Sequence, residues 1–177
     1  NIEKAAQLVT ESCLKGGRLY VFGSGHSHLI AEELYIRAGG LALVHAILPP
    51  EMMLNTMPTK STLLERLEGY APALIELYHV EANDTLLIIS NSGRNCSVID
   101  AALEAKKRGA ITVAITSMNH TTQVSSRHSS SLNLYQVCDY VLDNGGVAGD
   151  ASVQLPGLSQ NIAPTSSVID LTLVNLI

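Results

Sequence analysis

Apolar and polar positions along this chain fall into two kinds of block, one spaced like an amphipathic helix and one continuous like a buried strand. From Ile2 to Leu14 the apolar residues Ile2, Ala5, Ala6, Val9 and Cys13 keep a helical spacing, which Lys15-Gly16-Gly17 stops. Arg18 to Phe22 reads as a strand, Gly23-Ser24-Gly25-His26-Ser27 as a tight turn, and His28 to Arg37 as a helix ended by Gly39-Gly40. Leu41 to Leu48 is the next predicted strand. Pro49 to Thr62, with its prolines, three methionines and Thr and Asn residues, predicts a loop, and Leu63 to Tyr78 a helix bent near Gly69 to Pro72. Thr85 to Ile89 is a continuous apolar run between Asn83-Asp84 and Ser90, the length of a fully buried strand. Asn95 to Arg108 has Val98, Ile99, Ala102 and Leu103 on one helical face and Gly109 as its stop, and Ile111 to Ile115 is the following strand. Met118 to Ser131 predicts a second polar loop, with seven Ser or Thr between Thr121 and Ser131. Tyr140 to Leu142 makes a short strand, Asp143-Asn144-Gly145-Gly146 a turn, Ser152 to Ile162 an irregular stretch, and Ser166 onward a terminal helix.

Helices alternating with five apolar strands predict an α/β protein with a parallel sheet and crossover helices. In such sheets a ligand binds beyond the carboxyl ends of the strands. Three polar clusters follow predicted strands directly: Gly23 to Ser27, Ser90 to Asn95, and Thr116 to Asn119. All three are therefore expected on one edge.

Composition narrows this picture. A chain of 177 residues suits a single domain, 1–177, and its start at Asn1 within a helical pattern and end at Ile177 within an apolar run read as trimmed at both termini. With 46% apolar residues, 15% charged residues, no Trp and one Phe, the core must be aliphatic, as in strands covered on both faces. A mean hydropathy of +0.22 suggests a subunit interface. The formal charge of −5 and the lack of a long basic run argue against nucleic-acid binding, since Lys106-Lys107-Arg108 lies where a helix ends and offsets its dipole. Cys13, Cys96 and Cys138 have no CxxC spacing and read as reduced thiols of a cytoplasmic protein; no apolar run is long enough to span a membrane.

The chemistry concentrates in two turns. In VFGSGHSHLIAEEL a strand, a GxG turn and a helix follow one another, but His28 stands where a dinucleotide site needs its third glycine. No nicotinamide, flavin or other cofactor is implied. His26 and His28 at i, i+2, with scattered cysteines, do not make a metal site. His45 sits within a strand pattern, a core or interface position. Ser90-Asn91-Ser92-Gly93-Arg94-Asn95 joins a buried strand to a helix, where amides without intrahelical partners carry the positive end of the dipole. Serine hydroxyls add donors and Gly93 lets an anion approach the backbone, so a phosphate can be held without lysine. Asn95 or Ser97 caps the helix.

Together these residues resemble the SIS, or sugar isomerase, phosphosugar-binding domain. Gly23-Ser24-Gly25-His26-Ser27 is similar to the family's GxGxS, Ser90 to Asn95 to its S-x-S-G-x-T with Asn95 in place of Thr, and Pro164-Thr165-Ser166-Ser167 to its P-T-S before the last helix. The whole chain is similar to a bacterial branch with the same GSGHSHLIAEE and SNSGRN strings. The resemblance implies a flavodoxin-like three-layer sandwich with a five-stranded parallel sheet, assembled as a homodimer or homotetramer, and a sugar phosphate or amino-sugar phosphate as ligand. On it, Ser24, Ser27, Ser90, Asn91, Ser92, Gly93, Asn95, Thr116, Ser117, Thr165 and Ser166 are the expected ligand-binding residues. Ala31-Glu32-Glu33-Leu34 is similar to a heptose-phosphate isomerase segment whose second Glu is the base, which makes Glu33, with His26, the expected catalytic pair. Three activities stay open: an aldose–ketose isomerase, a lyase or etherase using an acid near Glu65 or Glu68, and a non-enzymatic sensor. The Ser125 to Ser131 stretch is expected to fold over the ligand, meet a neighbouring subunit, or remain a solvated loop.

Overall fold

The computed structural model describes residues 1–177. Five strands, β1 (Leu19–Gly23), β2 (Val44–Ile47), β3 (Thr85–Ile89), β4 (Ile111–Thr116) and β5 (Tyr140–Asp143), form one sheet in the order β2-β1-β3-β4-β5, parallel at every pairing. Eight helices complete the fold: α1 (Ile2–Leu14), α2 (His28–Leu34), α3 (Pro58–Leu64), α4 (Tyr70–Leu77), α5 (Cys96–Lys107), α6 (Met118–Thr121), α7 (Leu134–Val137) and α8 (Ser166–Leu176). No helix is long and apolar enough to cross a membrane.

Side chains alternate across the sheet and so divide the core in two. On one face Tyr20, Phe22, Ile47, Leu86, Ile88 and Ala114 pack against α4 through Ala71, Leu74 and Ile75 and against α5 through Val98, Ile99, Ala102 and Ala105. On the other, Val21, Val44, Leu87, Ile89, Val113 and Ile115 meet Ala5 and Val9 of α1, Ile30 and Ala31 of α2 and Val174 of α8. The result is the expected three-layer α/β sandwich with an aliphatic centre. All five residues of β3 are buried, because β3 is the middle strand and is covered on both faces.

Several local readings change. Pro49 to Thr62 is not a plain loop: Pro50–Met52 forms a 3₁₀ turn, and Pro58 opens α3, where its fixed φ and missing N–H suit a first helical position. The single bent helix expected over Leu63 to Tyr78 is two helices, separated because Gly69 adopts φ 84° just before α4. Helix α2 ends at Leu34 rather than Arg37, and Ile36, at φ 41°, prevents its continuation. The Leu41–Leu48 strand is limited to Val44–Ile47, and the polar Met118 to Ser131 stretch begins with the helical turn α6, whose first amides are capped by Ser117 Oγ accepting from His120 N. Helix α7 was not expected; its sequence signal is Asn133 with Gln136 three residues on, whose Oε1 accepts from Asn133 N at 2.9 Å. Lys106 lies at the helix end as anticipated, donating to Val137 O and pairing with Asp139, both at 2.8 Å.

The strand entries are fixed by one carboxylate. Buried Asp84 accepts from Arg18 N and from Glu81 N, each at 2.8 Å, tying the start of β1 to the turn before β3. Replacing Asp84 by Ala leaves both amides unpaired, so Asp84→Ala lowers unfolding stability by about 2–4 kcal/mol, read from the midpoint of a urea titration.

Candidate functional site

The carboxyl ends of β1, β3, β4 and β5 bring the polar turns to one edge. After β3 the ladder runs one residue further, Ser90 N donating to Ile115 O at 3.0 Å. The chain then folds back, with Asn91 O accepting from Ser117 N at 3.1 Å and from Thr116 Oγ1 at 3.2 Å, and Ser90 Oγ accepting from Gly93 N at 3.1 Å. Gly93 has φ 58°, and a Cβ there would lie 3.0 Å from Thr121 Oγ1 and 3.2 Å from Leu134 Cβ, so both backbone and space call for glycine. The amides of Ser92, Arg94, Asn95, Cys96 and Val98 donate to no protein acceptor, and the half-buried Ser92 hydroxyl has no protein partner either. A row of unspent donors at the start of a 12-residue helix is an anion-binding arrangement. Asn95 occupies the N-cap position, but its side chain accepts from Arg127 Nη1 at 2.5 Å instead of capping α5.

A chain of buried amides and carboxyl holds this loop from below. Asn144 Nδ2 donates to Asn91 Oδ1 at 3.1 Å and to Asp170 Oδ1 at 2.9 Å, while its Oδ1 accepts from Gly146 N at 2.9 Å. Burial pushes the Asp170 carboxyl up to about 6, the Asn144 bond opposing and the Asp150 charge adding to the shift.

The turn after β1 faces the same edge. Ser24 Oγ donates to Glu65 Oε2 at 3.1 Å, and Glu65 O accepts from Ser97 N at 3.0 Å, so one residue at the end of α3 bridges the β1 turn and the first turn of α5. Burial raises the Glu65 carboxyl above the usual range, against the opposing pull of Ser24, Arg66, Arg127 and Asn95. A carboxylate in that state is suited to proton transfer. Ser27 is half-buried and His26 exposed in the same turn. His28 is buried, its Nδ1 against Gly25 O and its Nε2 3.6 Å from Glu32 Oε1.

Other expected site residues are engaged elsewhere. Thr116 and Ser117 are fully buried, the first donating to Asn91 O and the second to Gly146 O at 2.6 Å; they build the loop rather than face a ligand. Thr165 N, Ser166 N and Ser166 Oγ all donate to the carboxylate of Asp150, at 3.0, 3.0 and 2.5 Å, so a side chain already fills the anion position at the start of α8. Glu33 pairs with Arg37 and accepts from Asn175 Nδ2 at 3.0 Å, toward the carboxyl-terminal ends of α2 and α8. His45 lies in β2 with its ring 5.3 Å from that of Tyr20. Glu68, on the surface, accepts from Ser129 N and Oγ at 2.6 and 2.8 Å. No three His, Cys, Asp or Glu side chains gather to hold a metal ion, and the three cysteines are unpaired. An apolar cavity of about 160 Å³, lined by Val9, Leu34, Leu41 and Val174 among others, lies toward the amino ends of β1 and β2, away from these turns.

The SIS domain profile matches residues 1–117. The chain is a SIS-domain protein. It is 55% identical over 154 residues to a UPF0309 protein of Halalkalibacterium halodurans, covering 87% of this chain and 64% of that one. It is 42% identical over 177 residues to a UPF0309 protein of Geobacillus thermodenitrificans, covering 100% and 71%. This SIS-domain protein thus belongs with the UPF0309 proteins and spans about two thirds of their length. Among solved structures its fold is similar to phosphoheptose isomerases from Neisseria gonorrhoeae (TM-score 0.59, 18% identity, 99% of this chain and 79% of that one) and from Francisella tularensis (0.58, 19%, 99% and 83%). It is also similar to the sugar isomerase domain of an RpiR transcription factor from Sphaerobacter thermophilus (0.52, 18%, 99% and 75%). At such identities these likenesses establish the fold.

The buried Asp170 carboxyl has a pH signature. The folded state holds its proton up to about pH 6, whereas an unfolded aspartate titrates near ~4. The stability it contributes is present below that lower value and is lost as pH rises through the interval. Asp170→Asn removes this loss: the variant's advantage over the parent grows from near zero at pH ~4 to about 2 kcal/mol at pH ~8, measured by chemical denaturation across the range.

Proposed function

We propose that this protein binds a sugar phosphate at the Ser90–Asn95 loop and abstracts a proton from the carbon next to its carbonyl. The observation that carries the reading is the position of Glu65, whose raised carboxyl is held by Ser24 while its backbone caps the helix start that presents the free donors. In this reading Ser90, Ser92 and Asn95, with the amides around Gly93, hold the phosphate, and Ser24 and Ser27 border the sugar. Asn91 positions the loop from beneath. Thr165 and Ser166 join the ligand only when Asp150 swings away.

Glu65 takes the role first expected of Glu33 and His26. Glu33 is engaged by Arg37 and by Asn175, and His26 has no protein partner to orient it. In an aldose–ketose interconversion Glu65 accepts the C2 proton. The C–H electron pair becomes the C1=C2 bond, the carbonyl oxygen takes a proton, and reprotonation at C1 with loss of the C2 hydroxyl proton gives the ketose. In an amino-sugar phosphate carrying an ether at the next carbon, the same abstraction is followed by loss of the ether oxygen. Both the isomerase and the lyase or etherase alternatives therefore begin with one step. The phosphoheptose isomerases among the solved structures with this fold support the phosphosugar class. Large apolar side chains left exposed at Ile36, Leu41 and Leu67 support a homodimer or homotetramer as the working unit.

Two measurements test this reading. Ser92→Ala weakens sugar-phosphate binding by roughly 1–3 kcal/mol in calorimetry, the cost of a charge-assisted hydrogen bond; unchanged affinity removes Ser92 from the site. In deuterated water, proton NMR shows exchange at C2 of the bound sugar phosphate, reduced by at least about 10²-fold in Glu65→Gln. Binding without exchange identifies the protein as a sensor.

A further inference from the structure

The chain has six arginines. Three are partnered: Arg37 with Glu33, Arg108 with Glu104 at 2.7 Å and Glu76 at 3.7 Å, and Arg18 with Tyr20 Oη at 3.5 Å. The other three, Arg66, Arg94 and Arg127, form no ion pair with any carboxylate, and the charges of Arg66 and Arg94 both act on Arg127. Arg66 follows Glu65 at the end of α3, Arg94 follows Gly93 in the serine loop, and Arg127 is brought in from the polar stretch after α6. Arg127 N donates to Arg94 O at 2.9 Å, its Nη1 to Asn95 Oδ1 at 2.5 Å, and Arg127 O accepts from Cys96 Sγ at 3.2 Å. Burial, with the neighbouring charges of Arg94 and Arg66, loosens the proton of the Arg127 guanidinium. The Nε of Arg94 is buried and donates to nothing.

This arrangement is imposed by the fold. The segment bearing Arg127 is fastened by His128 Nε2 to Asp100 at 3.0 Å and by Ser129 to Glu68. The charges of Arg66 and Arg94 thus act on Arg127, opposed by that of Glu65, while Asp100 and Glu68 are engaged by His128 and Ser129, in a chain whose net charge is −5. Like charges held together raise the energy of the site, and a buried guanidinium N–H without an acceptor adds a desolvation cost. An anion relieves both, and guanidinium forks suit carboxylate and phosphate oxygens. The serine loop already supplies neutral donors for one phosphate, and sugar hydroxyls bring no charge.

We propose that Arg66, Arg94 and Arg127 form a second anion subsite beside the serine loop, so that the ligand is a sugar phosphate bearing a further acidic group, a carboxylate or a second phosphate. The ligand class rests on the phosphosugar reading above; the subsite itself does not.

The test uses the parent protein, Ser92→Ala and the double variant Arg66→Gln/Arg127→Gln, with Arg66→Lys/Arg127→Lys to restore charge. Inorganic phosphate is titrated while the arginine Nε–H and the Ser92 and Gly93 amide resonances are followed in ¹⁵N-labelled protein. The expected result is two separable sites: the arginine signals still respond in Ser92→Ala, and the loop amides still respond in the double Gln variant. Calorimetry then compares glucose 6-phosphate, 6-phosphogluconate and glucose 1,6-bisphosphate. At least one of the doubly anionic probes binds at least about tenfold tighter than glucose 6-phosphate, the gain disappearing in the Gln variant and returning in part with Lys. A gain for 6-phosphogluconate identifies a carboxylate, and one for the bisphosphate a second phosphate. Arginine signals unmoved by phosphate overturn the subsite. Equal affinity for the three sugars, or equal loss of glucose 6-phosphate and the doubly anionic probes in the Gln variant, overturns the second charge while leaving the loop's phosphate in place. Loop amides that ignore phosphate, with responding arginines, overturn the phosphosugar reading and leave the arginine site standing.

Discussion

The hydrogen-bond chain Asn91–Asn144–Asp170 is the constraint on which the functional edge depends. Parallel strands all end at one edge with backbone groups that no further strand can pair, and loops leaving that edge would otherwise drift independently. Asn144, leaving β5, donates to Asn91 beyond β3 and to Asp170 in α8, so a single buried amide holds two loops and a helix in fixed relation. Its oxygen fixes the next turn through Gly146 N. A polar chain suits this place because its members are directional, and each buried group here finds a partner.

Above that support the loop leaves donors free. Where Thr116 and Ser117 donate their hydroxyls to loop carbonyls, Ser92 and five backbone amides are uncommitted. The contrast separates residues that build the loop from residues that present it. At the start of α8 the corresponding donors converge instead on Asp150, a carboxylate within reach because Gly149 and Asp150 both take positive φ. One helix start is thus closed by the protein's own acid and another is open.

Charge is distributed in the same uneven way. Lys106, Lys107 and Arg108 neutralise carboxylates at the end of α5, and Arg37 neutralises Glu33, whereas Arg66, Arg94 and Arg127, near the start of α5, pair with no carboxylate. Glu65 therefore combines two opposing influences, burial that favours its neutral form and neighbouring cations that favour its charge. Burial prevails.

Much of the architecture was legible in the chain because aliphatic runs such as Thr85–Ile89 and periodic stretches such as those of α1 and α5 specify strand and helix by burial alone. Short helices were missed where a cap or a proline, rather than periodicity, starts them, as at Pro58 and Asn133. The placing of serine-rich turns on one edge also followed, since alternation of strand and helix fixes direction. What linear sequence does not carry is the choice among chemically similar side chains. Ser92 and Ser117 look alike until folding buries one hydroxyl against Gly146 O and leaves the other free. Glu33, the expected base, and Glu65, named only for a lyase or etherase, are distinguished when α8 supplies Asn175 to the first and the β1 turn supplies Ser24 to the second. Local pattern therefore determined the layers and the edge. The partners of each polar group come from residues tens of positions away, so only the tertiary structure decided which of them remain available for chemistry.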